Sequence, residues 1–91
     1  MDTEYLARLP AVNSLGVRIT PDIERQLINA GVLSKTGYIV NCKVRKAFAK
    51  ICDNNGLYDT DANAEAFLLL IWNQSKYRGE SFNQTAKCLG Y

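Results

Sequence analysis

The stretch Ala66-Phe67-Leu68-Leu69-Leu70-Ile71-Trp72 is the longest apolar run in this chain of 91 residues. A helix made from it is apolar on every side, which is typical of a central helix that other helices cover. Thr60 and Asp61 are suitable N-cap residues before the run, and Gly79 follows it as a helix stop. We therefore predict one long central helix between residue 61 and about residue 77.

Helix-start and helix-stop residues divide the rest of the chain into shorter segments. Small polar residues that accept hydrogen bonds from free backbone N–H groups mark the starts, and glycine, proline or an Asn-Gly pair marks the stops. The expected starts are Thr3 or Asp2, Thr20, Asn41 and Ser81, and the matching stops are Pro10, Gly31, Gly56 and Gly90. In the last of these segments we expect Tyr91 to pack back onto its helix in a Schellman closure.

Two short β-prone runs, residues 32–34 and 38–40, flank a turn that contains Gly37. They predict a small β-hairpin as an addition to the helices. The fold class that follows is all-α: a compact bundle of four to five short helices, with residues 1–91 forming one helical domain. A chain of this length buries enough surface for one modest core.

The charged residues are segregated along the chain, although the net charge is only +2. Residues 25–50 contain six basic side chains and no acid, and residues 53–65 contain four acids and no basic side chain. A segregated field gives a small protein a positive side and a negative side, each able to select a partner. The two blocks are adjacent in sequence, so pairing between them in the fold would cancel this effect.

The helix expected after Asn41 carries the basic residues on one side. At 100° per residue, Lys43, Lys46 and Lys50 fall within about 60° of one another and opposite the apolar residues, with Arg45 beside them. The simplest interpretation is the solvated face of an amphipathic helix. The functional interpretation is a surface that meets an acidic protein or a phosphate backbone.

A second candidate surface lies on the central helix. Glu65, Leu69, Trp72 and Lys76 form one stripe by helical spacing. Charged residues at both ends of the stripe suggest that it meets solvent, so we expect Leu69 and Trp72 to be exposed. An exposed Leu–Trp pair is suited to a protein-binding hot spot. The alternative is that another helix covers both side chains.

The residues needed for common catalytic and metal sites are missing from the sequence. It has no histidine, no Gly-rich phosphate loop and no Cys-x-x-Cys spacing. Its three cysteines are expected to be buried free thiols, because Cys42 and Cys52 share a helix and lie about 15 Å apart. We predict that the protein is not an enzyme and that it has no metal site and no cofactor.

The location and function follow by elimination. The acidic N-terminus lacks the apolar core of a signal peptide, and no apolar run approaches the roughly 20 residues of a membrane span, so we expect a cytoplasmic protein without membrane contact. The predicted function is that of a small non-catalytic regulator, which binds a larger complex and inhibits or adapts it by surface occlusion. Regulators of this kind are frequent in phages and mobile elements. The alternatives are a nucleic-acid-binding module that uses the basic helix 43–50 and a structural homo-oligomer formed through helix 61–77.

Overall fold

The computed structural model describes residues 18–91, which form four helices packed into a compact, mostly helical fold. They are α1 (Pro21–Asn29), α2 (Cys42–Asn55), α3 (Asp61–Arg78) and α4 (Phe82–Cys88). The all-α prediction is confirmed. The helix expected before Pro10 lies outside the described residues.

Each helix begins where a capping side chain was expected. The side-chain oxygen of the N-cap residue accepts a hydrogen bond from a backbone N–H in the first turn and so satisfies one of the donors that a helix start leaves free. The bonds join Thr20 to Ile23 (3.3 Å), Asn41 to Lys43 and Val44 (3.1 and 3.2 Å), Thr60 to Asn63 (3.2 Å) and Ser81 to Gln84 (3.2 Å).

The helix ends follow the predicted glycines, and the end of α4 shows why. Gly90 has φ +88°, a left-handed conformation that is accessible to a residue without Cβ. Its N–H donates to the Lys87 carbonyl at 3.0 Å, and the Tyr91 N–H donates to the Ala86 carbonyl at 2.8 Å. This is the predicted Schellman closure, and it packs Tyr91 against the core with its ring centroid 5.8 Å from that of Phe67.

The segment expected to form a hairpin is a tight turn closed by one isolated antiparallel bridge between Leu33 and Ile39. Around this bridge, the Ser34 N–H donates to the Tyr38 carbonyl at 2.8 Å, and the Val40 N–H donates to the Val32 carbonyl at 2.9 Å. The pairing stops there because α2 is capped by the next residue of the chain, so the ladder cannot extend. Two strands of this length would also be marginal without further partners.

The core is built around α3, as the apolar run predicts. Residues 66–71 are all buried, and since six consecutive helical residues point in all directions, the helix is enclosed on every side. The other helices and the turn each contribute side chains to one cluster with it: Leu27 from α1, Val32, Leu33 and Ile39 from the turn, Val44, Phe48 and Cys52 from α2, and Phe82 and Ala86 from α4. Within residues 18–91, no helix combines the length and apolarity needed to cross a bilayer.

Candidate partner-binding surface

The lysines of α2 project from the side of the helix opposite the core. Val44, Phe48 and Cys52 are buried and fix the orientation of the helix. The side chains on the opposite side are exposed, and we refer to them as the basic face: Lys43, Lys46 and Lys50. Arg45 is also exposed but lies about 100° around the helix from Lys46, beside the buried side. The three lysines cover about 10 Å along the helix axis.

The lysines of the basic face make no ion pairs with acids in the described part of the chain. Residues 18–91 contain two ion pairs, Arg18 with Glu65 at 3.3 Å and Arg78 with Glu80 at 3.4 Å. Neither includes a residue of α2. The exposed Asp53 lies in the same helix as Lys50 but makes no ion pair with it. The acidic block therefore does not cancel the basic one through ion pairs among these residues.

The structure contradicts the expected exposure of Leu69. Its residue surface is 6% exposed, whereas Trp72 is half-buried and packs against the core. The charged residues at the two ends of the stripe do not mark a solvated face, because each contacts another side chain of the protein. Glu65 contacts Arg18 at one end, and Lys76 lies over the Trp72 ring at the other, with Nζ 4.3 Å from the ring centroid. Whether Leu69 or Trp72 contributes to binding stays a prediction, but Leu69 does so only if the surface rearranges.

An acidic groove that does not include α2 was missed by the sequence analysis. It has a volume of about 300 Å³ and is formed by α1, the turn and the first half of α3. Its lining includes three acidic residues, two core leucines and one tyrosine whose residue surface is 68% exposed: Glu24, Asp61, Glu65, Leu33, Leu68 and Tyr38. No local motif could have revealed it, since residues up to 49 positions apart, Ile19 and Leu68, must meet to form it.

The cysteines are free thiols in three different settings. Cys52 is buried, and burial first, with the nearby Asp59 and Asp53 charges second, raises the pKa of its thiol. It is therefore held as the neutral thiol and is a poor nucleophile. Cys42 and Cys88 are exposed, so the expectation of burial is wrong for these two. Within residues 18–91, no group of three or more Cys, Asp or Glu side chains is arranged to hold a metal ion.

Comparison of this chain with protein-family models, with curated proteins and with solved structures finds no match. The functional argument therefore depends on the surfaces described above.

Proposed function

We propose that this protein is a small non-catalytic regulator that binds an acidic surface of a larger protein complex through the basic face of α2, and inhibits or adapts that complex by occluding the surface. The observation that carries the proposal is the exposure of Lys43, Lys46 and Lys50 on one side of a helix, without ion-pair partners among residues 18–91. Three aligned cations of this kind present a positive field to an approaching partner.

The way in which α2 is fixed in the fold supports a binding role more strongly than its charge alone. The Asn41 cap fixes the first turn, and the buried Val44 and Phe48 hold the helix against α3. The lysine positions are therefore set by the fold before a partner arrives, so little backbone order has to be gained on binding. Only the flexible ends of the side chains remain to be ordered.

We expect the basic face to contribute more to the rate at which the partner associates than to the lifetime of the complex. Charges at the rim of an interface steer diffusional encounter, while individual exposed ion pairs add about 0–1 kcal/mol each. Because the Debye length is about 8 Å at physiological salt, the three lysines act together over distances similar to their own spacing. Partner binding by this face should therefore weaken as ionic strength rises.

The test is affinity purification of the tagged protein from its native host, with half of each eluate treated with nuclease. The wild type is compared with Lys43→Glu/Lys46→Glu. The matched control is Arg25→Glu/Lys87→Glu, which makes the same change in net charge at two exposed helical positions outside α2. Circular dichroism of each variant confirms that the fold is kept.

We expect the wild type and the control to recover the same nuclease-resistant protein complex and the α2 variant to lose it. Equal recovery by all three proteins would contradict the assignment to the basic face. Recovery that disappears with nuclease would replace the protein partner by nucleic acid. In that case three phosphate contacts predict a log–log salt slope of about −3.

The homo-oligomer through helix 61–77 receives less support from the geometry. An apolar association surface on α3 would require exposed apolar residues, and residues 66–71 are buried within the chain itself. The half-buried Trp72, already covered in part by Lys76, is too small a patch for a stable interface.

A further inference from the structure

We propose that the acidic groove binds the basic face of a second copy of this chain, so that the protein associates with itself head to tail through Lys43 and Lys46. The inference does not depend on the proposed function. It rests on two surfaces of opposite charge, the acidic groove and the basic face. The proposed self-association is a contact between charged surfaces and is distinct from the homo-oligomer through helix 61–77, which would need an apolar contact on α3.

The groove has the chemistry that a lysine side chain requires. Leu33 and Leu68 form the apolar floor of the groove but are only 5% and 2% exposed, so the exposed Tyr38 side chain offers most of the apolar contact for the four methylenes. Tyr38 as a residue is 68% exposed, and its ring can offer a π face to an ammonium group. The Glu24, Asp61 and Glu65 carboxylates lie around the same opening and supply the opposite charge.

The groove is also large enough and free enough for this occupant. Its volume of about 300 Å³ is about ten times the share of one water molecule in the liquid. Of its three carboxylates, only Glu65 makes an ion pair within residues 18–91, and its partner Arg18 has a 68%-exposed side chain. An exposed pair of this kind is worth about 0–1 kcal/mol, so an incoming ammonium group can share or replace it.

The occupant follows from charge complementarity within one molecule. The basic face presents three lysines that span about 10 Å along the helix and make no ion pair within residues 18–91, and the groove presents three acidic residues. Because the two surfaces are different patches, the contact is heterologous: one copy of a pair keeps a free groove and the other keeps a free basic face. Association would also cover the basic face, so self-association and partner binding through that face would compete.

The test uses sedimentation equilibrium of the purified full chain over a hundredfold range of concentration. Measurements are made at about 0.01 M and about 1 M salt, where the Debye lengths are about 30 Å and 3 Å. The first variant is Lys43→Glu/Lys46→Glu, the second is Glu24→Lys/Asp61→Lys, and Lys87→Glu is the control at an exposed lysine outside both surfaces. Glu24→Gln/Asp61→Asn replaces the second variant if circular dichroism shows that it does not fold.

The two charge-reversed variants also allow a complementation experiment. Each alone brings like charges together at the contact and should associate more weakly than the wild type. When they are mixed, the intact lysines of the groove variant meet the intact groove of the α2 variant, so a complex of the two should form.

We expect the wild type and Lys87→Glu to associate at low salt and to dissociate at high salt. Each double variant alone should associate at least about tenfold more weakly, because two ion pairs are lost. A wild type that stays monomeric at every concentration and both salt levels would overturn the proposal. It would also be overturned if either double variant associates as strongly as the wild type or if the mixture fails to form a complex.

Discussion

Phe67 is the side chain whose removal tests the packing of the core most severely. It is fully buried in α3, and its ring contacts both Phe48 of α2, at a centroid distance of 5.5 Å, and Tyr91, at 5.8 Å. It therefore joins the helix that carries the basic face to the central helix and to the end of the chain. Phe67→Ala removes all these contacts and leaves a cavity in their place.

The expected cost can be worked out from these contacts. Truncation of a buried Phe to Ala lowers the free energy of unfolding by about 3–5 kcal/mol. A domain of this size has a total stability of about 5–14 kcal/mol, so Phe67→Ala removes a large part of it. Phe67→Leu keeps most of the apolar volume and loses the two ring–ring contacts, which are worth about 0.5–1.5 kcal/mol each. We therefore expect a loss of about 1–3 kcal/mol for that variant.

The assay is urea denaturation monitored by circular dichroism and by the fluorescence of Trp72, the single tryptophan. At a slope of about 1 kcal/mol per molar urea, Phe67→Leu should lower the midpoint by about 1–3 M. Tyr77→Ala is the control: its residue is 89% exposed, so its effect should stay within about 0.5 kcal/mol. The packing described here would be refuted if Phe67→Ala cost less than about 1 kcal/mol or no more than the control.

Three further predictions concern a helix cap, a helix end and the thiols. Asn41→Ala should lower the free energy of unfolding by about 1 kcal/mol in urea denaturation, and Asn41→Ser should restore most of it. Gly90→Ala should cost about 1–2 kcal/mol in the same assay, because φ +88° is strained for a residue with Cβ. In native protein an alkylating reagent should label the exposed Cys42 and Cys88 quickly and Cys52 only after unfolding. Burial raises the pKa of the Cys52 thiol, so the thiol stays protonated in the fold at a pH where it ionises in the unfolded chain. The free energy of unfolding should therefore fall as pH rises above about 8.5. In Cys52→Ala this part of the pH dependence should be absent.

Each of these predictions has an outcome that contradicts it. Asn41→Ser that is no more stable than Asn41→Ala would show that the cap oxygen does not stabilise α2. Gly90→Ala that matches the wild type would argue against the left-handed helix end. Equal labelling rates for all three cysteines would contradict the burial of Cys52, and an unchanged pH profile in Cys52→Ala would contradict the effect of its raised pKa.

The helix starts and ends could be predicted from the sequence because their causes are local. The hydrogen bond of an N-cap such as Asn41 spans only two or three residues. The closure at Gly90 and Tyr91 is likewise determined within one turn of helix. The central position of α3 was also predictable. Because residues 66–71 are all apolar, this part of the helix has no polar side that could face water.

The surfaces were less predictable because they depend on contacts between distant residues. The exposure of Leu69 was inferred from charges at both ends of its stripe, but Arg18, far away in sequence, contacts the charge at one end. The acidic groove combines Glu24 with Asp61, which no periodic pattern connects. The basic face was predictable because it is a pattern within one helix. That it makes no ion pairs with the acids of residues 18–91 could be seen only from the three-dimensional structure.

The central claim is that the basic face of α2 steers the protein to an acidic partner surface. The most direct measurement is the association rate constant with the partner recovered by affinity purification, at low and high salt, for wild type, Lys43→Glu/Lys46→Glu and Arg25→Glu/Lys87→Glu. We predict that the α2 variant associates at least about tenfold more slowly than the control at low salt, with little change in the dissociation rate, and that high salt removes the difference. Equal association rates for the two variants at low salt would contradict the claim.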